Sequence, residues 1–125
     1  MKTNELLKKY PKTTELVKEW HLNKLKMSLA SQEIDDDFKK QIKIDVITDK
    51  VITEIIDSNP HAYFEMFDKK QIIINTEGNE LGFRAEIYKH TTPSGWFNKR
   101  IEAERLGLEK AFEILEKKLN EKDNN

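Results

Sequence analysis

The chain has no cysteine, which excludes disulfide frameworks, thiolate nucleophiles, thiolate zinc sites and cysteine-ligated iron–sulfur clusters together. Long apolar runs are missing too. The longest are of the size of Ile72 to Ile74, against the roughly 20 residues that a bilayer-crossing helix needs. The opening MKTNELLKKY carries charge without the apolar stretch and small-residue cleavage site of a secretory signal, so a soluble, cytoplasmic chain with no membrane association is expected. An excess of one charge is lacking as well: 22 Lys and Arg stand against 23 Asp and Glu, net −1. No global basic field therefore exists to drive nonspecific nucleic-acid binding, and only a local patch could do so.

Glycine and proline are scarce, four and three in 125 residues, and no repeat or flexible linker appears. This length suits one domain, expected over 1–120, with 121–125 as a frayed tail. Charge is unevenly spread. Residues 1–30 carry +4, residues 31–62 carry −4 and the remainder −1. A basic first segment beside an acidic second one reads as neighbouring helices that attract each other, or as a polyanion-binding arm.

Turn signals at Tyr10-Pro11, Asn59-Pro60, Glu77-Gly78-Asn79 and Thr92-Pro93-Ser94-Gly95 divide the chain. Helices are expected at about 4–10, 11–29 and 35–58. Within the second, Leu16, Val17, Trp20 and Met27 form one stripe, and Leu22, Leu25 and Leu29 another. Residues 41–47 read both ways, because Ile42, Ile44 and Val46 alternate as in a strand. The acidic start at Asp35-Asp36-Asp37, the lack of a turn dipeptide and the Asn59-Pro60 stop favour helix.

Three runs rich in aromatic and β-branched residues, 62–67, 71–76 and 83–88, then predict an antiparallel meander. Phe83, Ala85 and Ile87 alternate with Arg84, Glu86 and Tyr88, so one face packs and the other is polar. A helix over 97–119 should cover the packed face through Phe97, Ile101, Leu108, Phe112, Leu115 and Leu119. Its small residues Ala103, Gly107 and Ala111 recur every fourth position, a row that lets a neighbouring backbone come close. The expected fold is α+β, with N-terminal helices, a three-stranded meander and a long C-terminal helix.

Catalytic signatures are absent. His21, His61 and His90 are scattered without a second ligand at metal spacing, and there is no phosphate-binding glycine loop, G-x-S-x-G or H-E-x-x-H. No cofactor or metal is expected. The richest segment is Tyr88 to Arg100, YKHTTPSGWFNKR, where aromatic anchors stand beside arginine as they do in protein interfaces. Tyr88, His90, Trp96, Phe97, Lys99 and Arg100 are its candidate partner-binding residues. The same segment also reads as a loop that docks Trp96 and Phe97 into the core and caps the helix with Ser94 or Asn98.

Within 62–118, the run Trp96 to Glu104 followed by Leu108 to Leu115 resembles small phage and prophage accessory proteins of unknown function. That resemblance implies a short sheet followed by a helix and identifies no activity. The stretch is also similar to the strand–loop–helix half of double-stranded RNA-binding domains, whose basic helix start would fall on Lys99, Arg100 and Ala103. Ala103 stands one position late for that pattern, and Glu102 and Glu104 put negative charge where phosphates would lie.

Three readings follow. The first is a small non-enzymatic protein-binding or accessory module, with a protein partner and room for homo-oligomerisation. The second is a nucleic-acid binder using Lys18, Lys24 and Lys26 with Lys99 and Arg100. The third is a small-ligand binder or enzyme with His90 and Glu86 or Glu65 at a sheet edge.

Overall fold

Proline at position 11 separates the first two helices. In the computed structural model, which describes residues 1–30, 37, 43–90 and 95–123, helix α1 (Thr3–Lys9) stops at Tyr10. Tyr10 leaves the helical region (φ −122°, ψ 69°), as a residue before proline must. Helix α2 (Pro11–Ala30) begins on the proline itself, where a missing N–H costs nothing. Leu6, Leu7 and Val17 are buried, and Leu16, Trp20, Leu22 and Leu25 pack at the margin of the core. Met27 leaves its expected stripe and is 68% exposed.

The helix expected over 35–58 is interrupted: Asp37 is helical, as expected, but a single helix does not run through to Ser58. Lys43 is extended, Ile44–Val46 form one 3-10 turn, and helix α3 (Asp49–Ser58) starts only after Thr48, whose side chain accepts the Val51 N–H (3.2 Å). A threonine cap followed by an acidic first turn outweighs the apolar pattern that continues upstream. Positions 35, 36 and 38–42 of that expectation lie outside the described residues.

The meander has two strands among the described residues, not three. Residues 62–67 fold as helix: a 3-10 turn (Pro60–Tyr63) runs into helix α4 (Phe64–Lys69). Pro60 starts the turn with its φ already set, and the buried Pro60, Tyr63, Phe64 and Phe67 recur at helical spacing. Their aromatic content had favoured a strand, but their periodicity decides. The second run begins later and ends later than 71–76, as β1 (Ile74–Asn79), and the third is β2 (Gly82–Ile87). They pair antiparallel, with Ile74 opposite Ile87 and Asn79 opposite Gly82.

Helix α5 (Arg100–Asp123) packs across the hairpin. It begins three residues later than expected because Phe97 is held elsewhere, exchanging two backbone hydrogen bonds of 2.8 Å with Phe83 on the outer edge of β2. It also runs further: residues 121–123 of the expected tail are helical, and Lys12 pairs with Asp123. Gly107 shows what the small-residue row does. A Cβ there would stand 2.8 Å from the Ala85 Cβ and 3.0 Å from the Ile74 Cγ2, so the helix rides on the sheet at a distance that only glycine allows. Buried side chains of α1, α3, α4, both strands and α5 form one core around Phe67 and Phe112, whose rings lie 5.4 Å apart. No helix among the described residues is long and apolar enough to cross a membrane.

Candidate protein-binding face

With α5 on one face of the hairpin, no described helix covers the other, which stays partly exposed. The loop is two residues, Glu80 and Leu81, closed by the Leu81 N–H donating to the Asn79 Oδ1 (2.8 Å). Gly82 has φ +123°, and a Cβ there would come within 2.3 Å of the Phe97 carbonyl oxygen. Only glycine serves both the turn and the bridge to Phe97. On the packed side Phe83 lies over Gly78, while Ala85 and Ile87 are buried against α5.

The open side carries three cross-strand pairs: Ile73 with Tyr88, Asn75 with Glu86, and Glu77 with Arg84. Arg84 organises the centre. Its Nη2 donates to the Glu77 Oε1 (2.5 Å) and the Glu86 Oε1 (2.7 Å), and its guanidinium lies 4.5 Å from the Trp96 ring centroid. Each exposed ion pair contributes about 0–1 kcal/mol and the cation–π contact about 0.5–1 kcal/mol. Their joint effect is to hold a flat guanidinium against an indole ring at the surface. Next to it Tyr88 is 59% exposed and Ile73 36%, an apolar pair facing solvent.

The six residues of the Tyr88–Arg100 segment are thus distributed over several surroundings. Tyr88 and Trp96 share the open face, whereas Phe97 is half-buried in its bridge to Phe83. After Tyr88 the chain turns back at Lys89 (φ +63°). His90 then faces α5 across a cleft of about 410 Å³, lined also by Lys110, Glu113, Ile114, Lys117, Lys118 and Glu121. Lys99 is exposed, and the Arg100 Nε lies 3.6 Å from the Glu104 Oε1. Thr91 to Ser94, with the expected turn and the Ser94 cap, are outside the described residues.

The basic residues of the nucleic-acid reading are largely occupied. Lys18 pairs with Asp49 (2.6 Å), which raises its pKa, and with Glu15. Lys24 pairs with Glu65 (3.2 Å) and holds that carboxyl below its usual range, helped by Lys69. Lys26 and Lys99 are exposed on separate elements. The residues of the small-ligand reading are apart as well. Glu86 is on the open face, Glu65 is on α4, and His90 is in the α5 cleft, so none of the clefts described here joins two of them.

One polar cluster was not visible in the sequence. Glu104, 8% exposed, faces the His61 Nδ1 (3.0 Å), and His61 leans on Phe64 with ring centroids 4.7 Å apart. The pair stands 43 positions apart in the chain; the one local hint is Glu104 standing four positions after Arg100. Another pairing joins the His21 Nδ1 to the Tyr63 hydroxyl (2.9 Å); burial lowers the histidine pKa and raises that of the tyrosine. Among the described residues no group of His, Asp and Glu is arranged to hold a metal ion.

Comparison with protein-family models, curated proteins and solved structures gives no significant match. The functional reading therefore rests on this geometry.

Proposed function

We propose that the chain is a non-enzymatic protein-binding module that engages its partner through the open face of the β1–β2 hairpin. The observation that carries this reading is the exposed Ile73–Tyr88 pair beside the Arg84–Trp96 stack. Aromatic and arginine anchors bury large areas at interfaces while losing few rotors, and here three ion-pair and ring contacts already hold Arg84 in place. The competing nucleic-acid reading loses support from the engagement of Lys18, Lys24 and Arg100 with carboxylates.

The test is capture by the tagged full chain from a lysate of its host, with and without nuclease, repeated with Tyr88→Glu and with Lys26→Glu. A stoichiometric protein that survives nuclease, is lost with Tyr88→Glu and is kept with Lys26→Glu supports the reading. Capture indifferent to Tyr88→Glu, or dependent on nucleic acid, overturns it.

A further inference from the structure

We infer that the free edge of β1 is a strand-addition groove for an extended, lysine- or arginine-bearing segment of a partner protein. This inference rests on the reading of the chain as a protein-binding module, but it concerns the β1 edge, which adjoins the open hairpin face and shares Ile73 and Asn75 with it.

The register fixes which backbone groups are available. The Tyr88 N–H donates to the Ile73 carbonyl (3.0 Å), so Ile73, Asn75, Glu77 and Asn79 exchange hydrogen bonds with β2. Ile74, Thr76 and Gly78 then turn their N–H and C=O groups the other way. Phe83 obeys the same alternation on β2, where its outward groups are taken by Phe97. One edge of the hairpin is therefore covered by a short bridge. On the β1 edge no hydrogen bond among the described residues uses the outward groups of Ile74, Thr76 or Gly78.

The edge is also walled. Ile72, two residues before β1, sends its N–H to the Phe67 carbonyl (2.9 Å), which places α4 along this same side. Beside the start of β1 lies a cleft of about 320 Å³, lined by His61, Phe64, Glu65, Asp68 and Ile73 to Asn75. A strand edge facing a helix across a cleft is the geometry in which an extended peptide gains main-chain hydrogen bonds from the strand and side-chain contacts from the helix. Phe64 and Ile74 give the cleft an apolar floor. His61, steadied by Glu104, forms one end of it.

Charge sets the kind of segment. The acidic side chains lining the cleft are Glu65 and Asp68, and no lysine or arginine lines it. Lys24 and Lys69 approach Glu65, whereas Asp68 has no ion pair among the described residues. A segment with β-branched residues turned to Phe64 and Ile74, and a cation turned to Asp68, satisfies both the floor and the wall. The edge carries none of the lysine, proline or bulge that blunts exposed strands against pairing.

The experiment uses the full chain, ¹⁵N-labelled, and a ten-residue peptide in which valine alternates with lysine, against its glutamate counterpart. In the free chain the amides of Ile74, Thr76 and Gly78 should exchange fast and those of Asn75 and Glu77 slowly. The lysine peptide should slow the first three at least tenfold, the glutamate peptide should not, and Asp68→Lys should weaken binding at least fivefold. Thr76→Pro removes an N–H that has no partner, so the fold should persist, checked by its amide spectrum, while peptide binding is lost. Protection of the three amides in the free chain at low concentration would overturn the proposal. So would protection that grows with protein concentration alone, the mark of a second copy on the edge, or no effect of either peptide. Shifts confined to Tyr88 and Arg84 would overturn the groove while leaving the proposed function standing.

Discussion

The carboxylate of Glu116, on the penultimate turn of α5, accepts hydrogen bonds from the backbone N–H groups of Thr13 (2.8 Å) and Lys12 (3.3 Å) at the start of α2. Helix α2 opens on a proline and has no acidic residue in its first turn, so its free N–H groups have no local acceptor. The distant glutamate does the work of an N-cap, and its charge lies at the positive end of the helix dipole. Glu116 is 7% exposed and Thr13 is fully buried, so water cannot readily substitute.

Replacing Glu116 with alanine should therefore cost about 1–3 kcal/mol, the penalty of leaving a buried donor unmatched. Glu116→Gln keeps one acceptor oxygen and should cost less. Urea unfolding of the three chains checks the order; equal midpoints would show that the cap contributes nothing.

Gly107→Ala sets two effects against each other. Alanine gains about 1 kcal/mol of helix propensity over glycine. The new methyl would meet the Ala85 Cβ at 2.8 Å, in a strand that its hydrogen bonds hold in place, and overpacking of this kind costs about 1–3 kcal/mol. The net change should be destabilising, larger for Gly107→Val, and relieved when Ala85→Gly is combined with Gly107→Ala. Thermal unfolding of this double-mutant cycle gives the answer.

Acid should weaken the fold through His21. Burial lowers its pKa in the folded chain below the ordinary value of 6.5, so between the two values the unfolded chain binds more protons. Stability is then fully present above about pH 6.5 and declines as pH falls toward the folded value. Unfolding midpoints at pH 7.5, 6.0 and 5.0 should fall for the native chain and fall less for His21→Gln. Glu65, whose pKa is depressed by Lys24, adds its own loss at lower pH, as the solution passes below the ordinary carboxylate value.

Arg84→Ala should alter tryptophan fluorescence, since it uncovers the face of Trp96 now 4.5 Å from the guanidinium, while costing only about 1 kcal/mol of stability. Tyr88→Glu, on a side chain 59% exposed, should leave the unfolding midpoint unchanged within about 0.5 kcal/mol. Together these two variants separate surface recognition from folding.

Much of the second half of the chain could be read in advance because its signals are local. The alternation of Phe83, Ala85 and Ile87 marks β2, and the fourfold spacing of Ala103, Gly107 and Ala111 anticipates the close contact with the sheet. Residues 62–67 misled because aromatic richness points to strands, whereas their burial follows the helical period set by Pro60. For the site, Tyr88 and Trp96 stood out in the sequence as aromatic residues beside basic ones, whereas the Arg84–Trp96 stack, which joins residues twelve positions apart, did not. The His61–Glu104 and Thr13–Glu116 contacts did not either, since each joins residues far apart in the chain and no local pattern records such a pairing.

The dependence of α2 on Glu116 carries over to synthesis on the ribosome. At roughly 5–20 residues per second, α1 and α2 emerge several seconds before Phe112 and Glu116 exist to receive them. During that interval Leu6, Leu7 and Val17 have no finished core to enter, and the start of α2 has no carboxylate to hold it. The nascent chain must keep residues 1–30 from premature association until α5 is made.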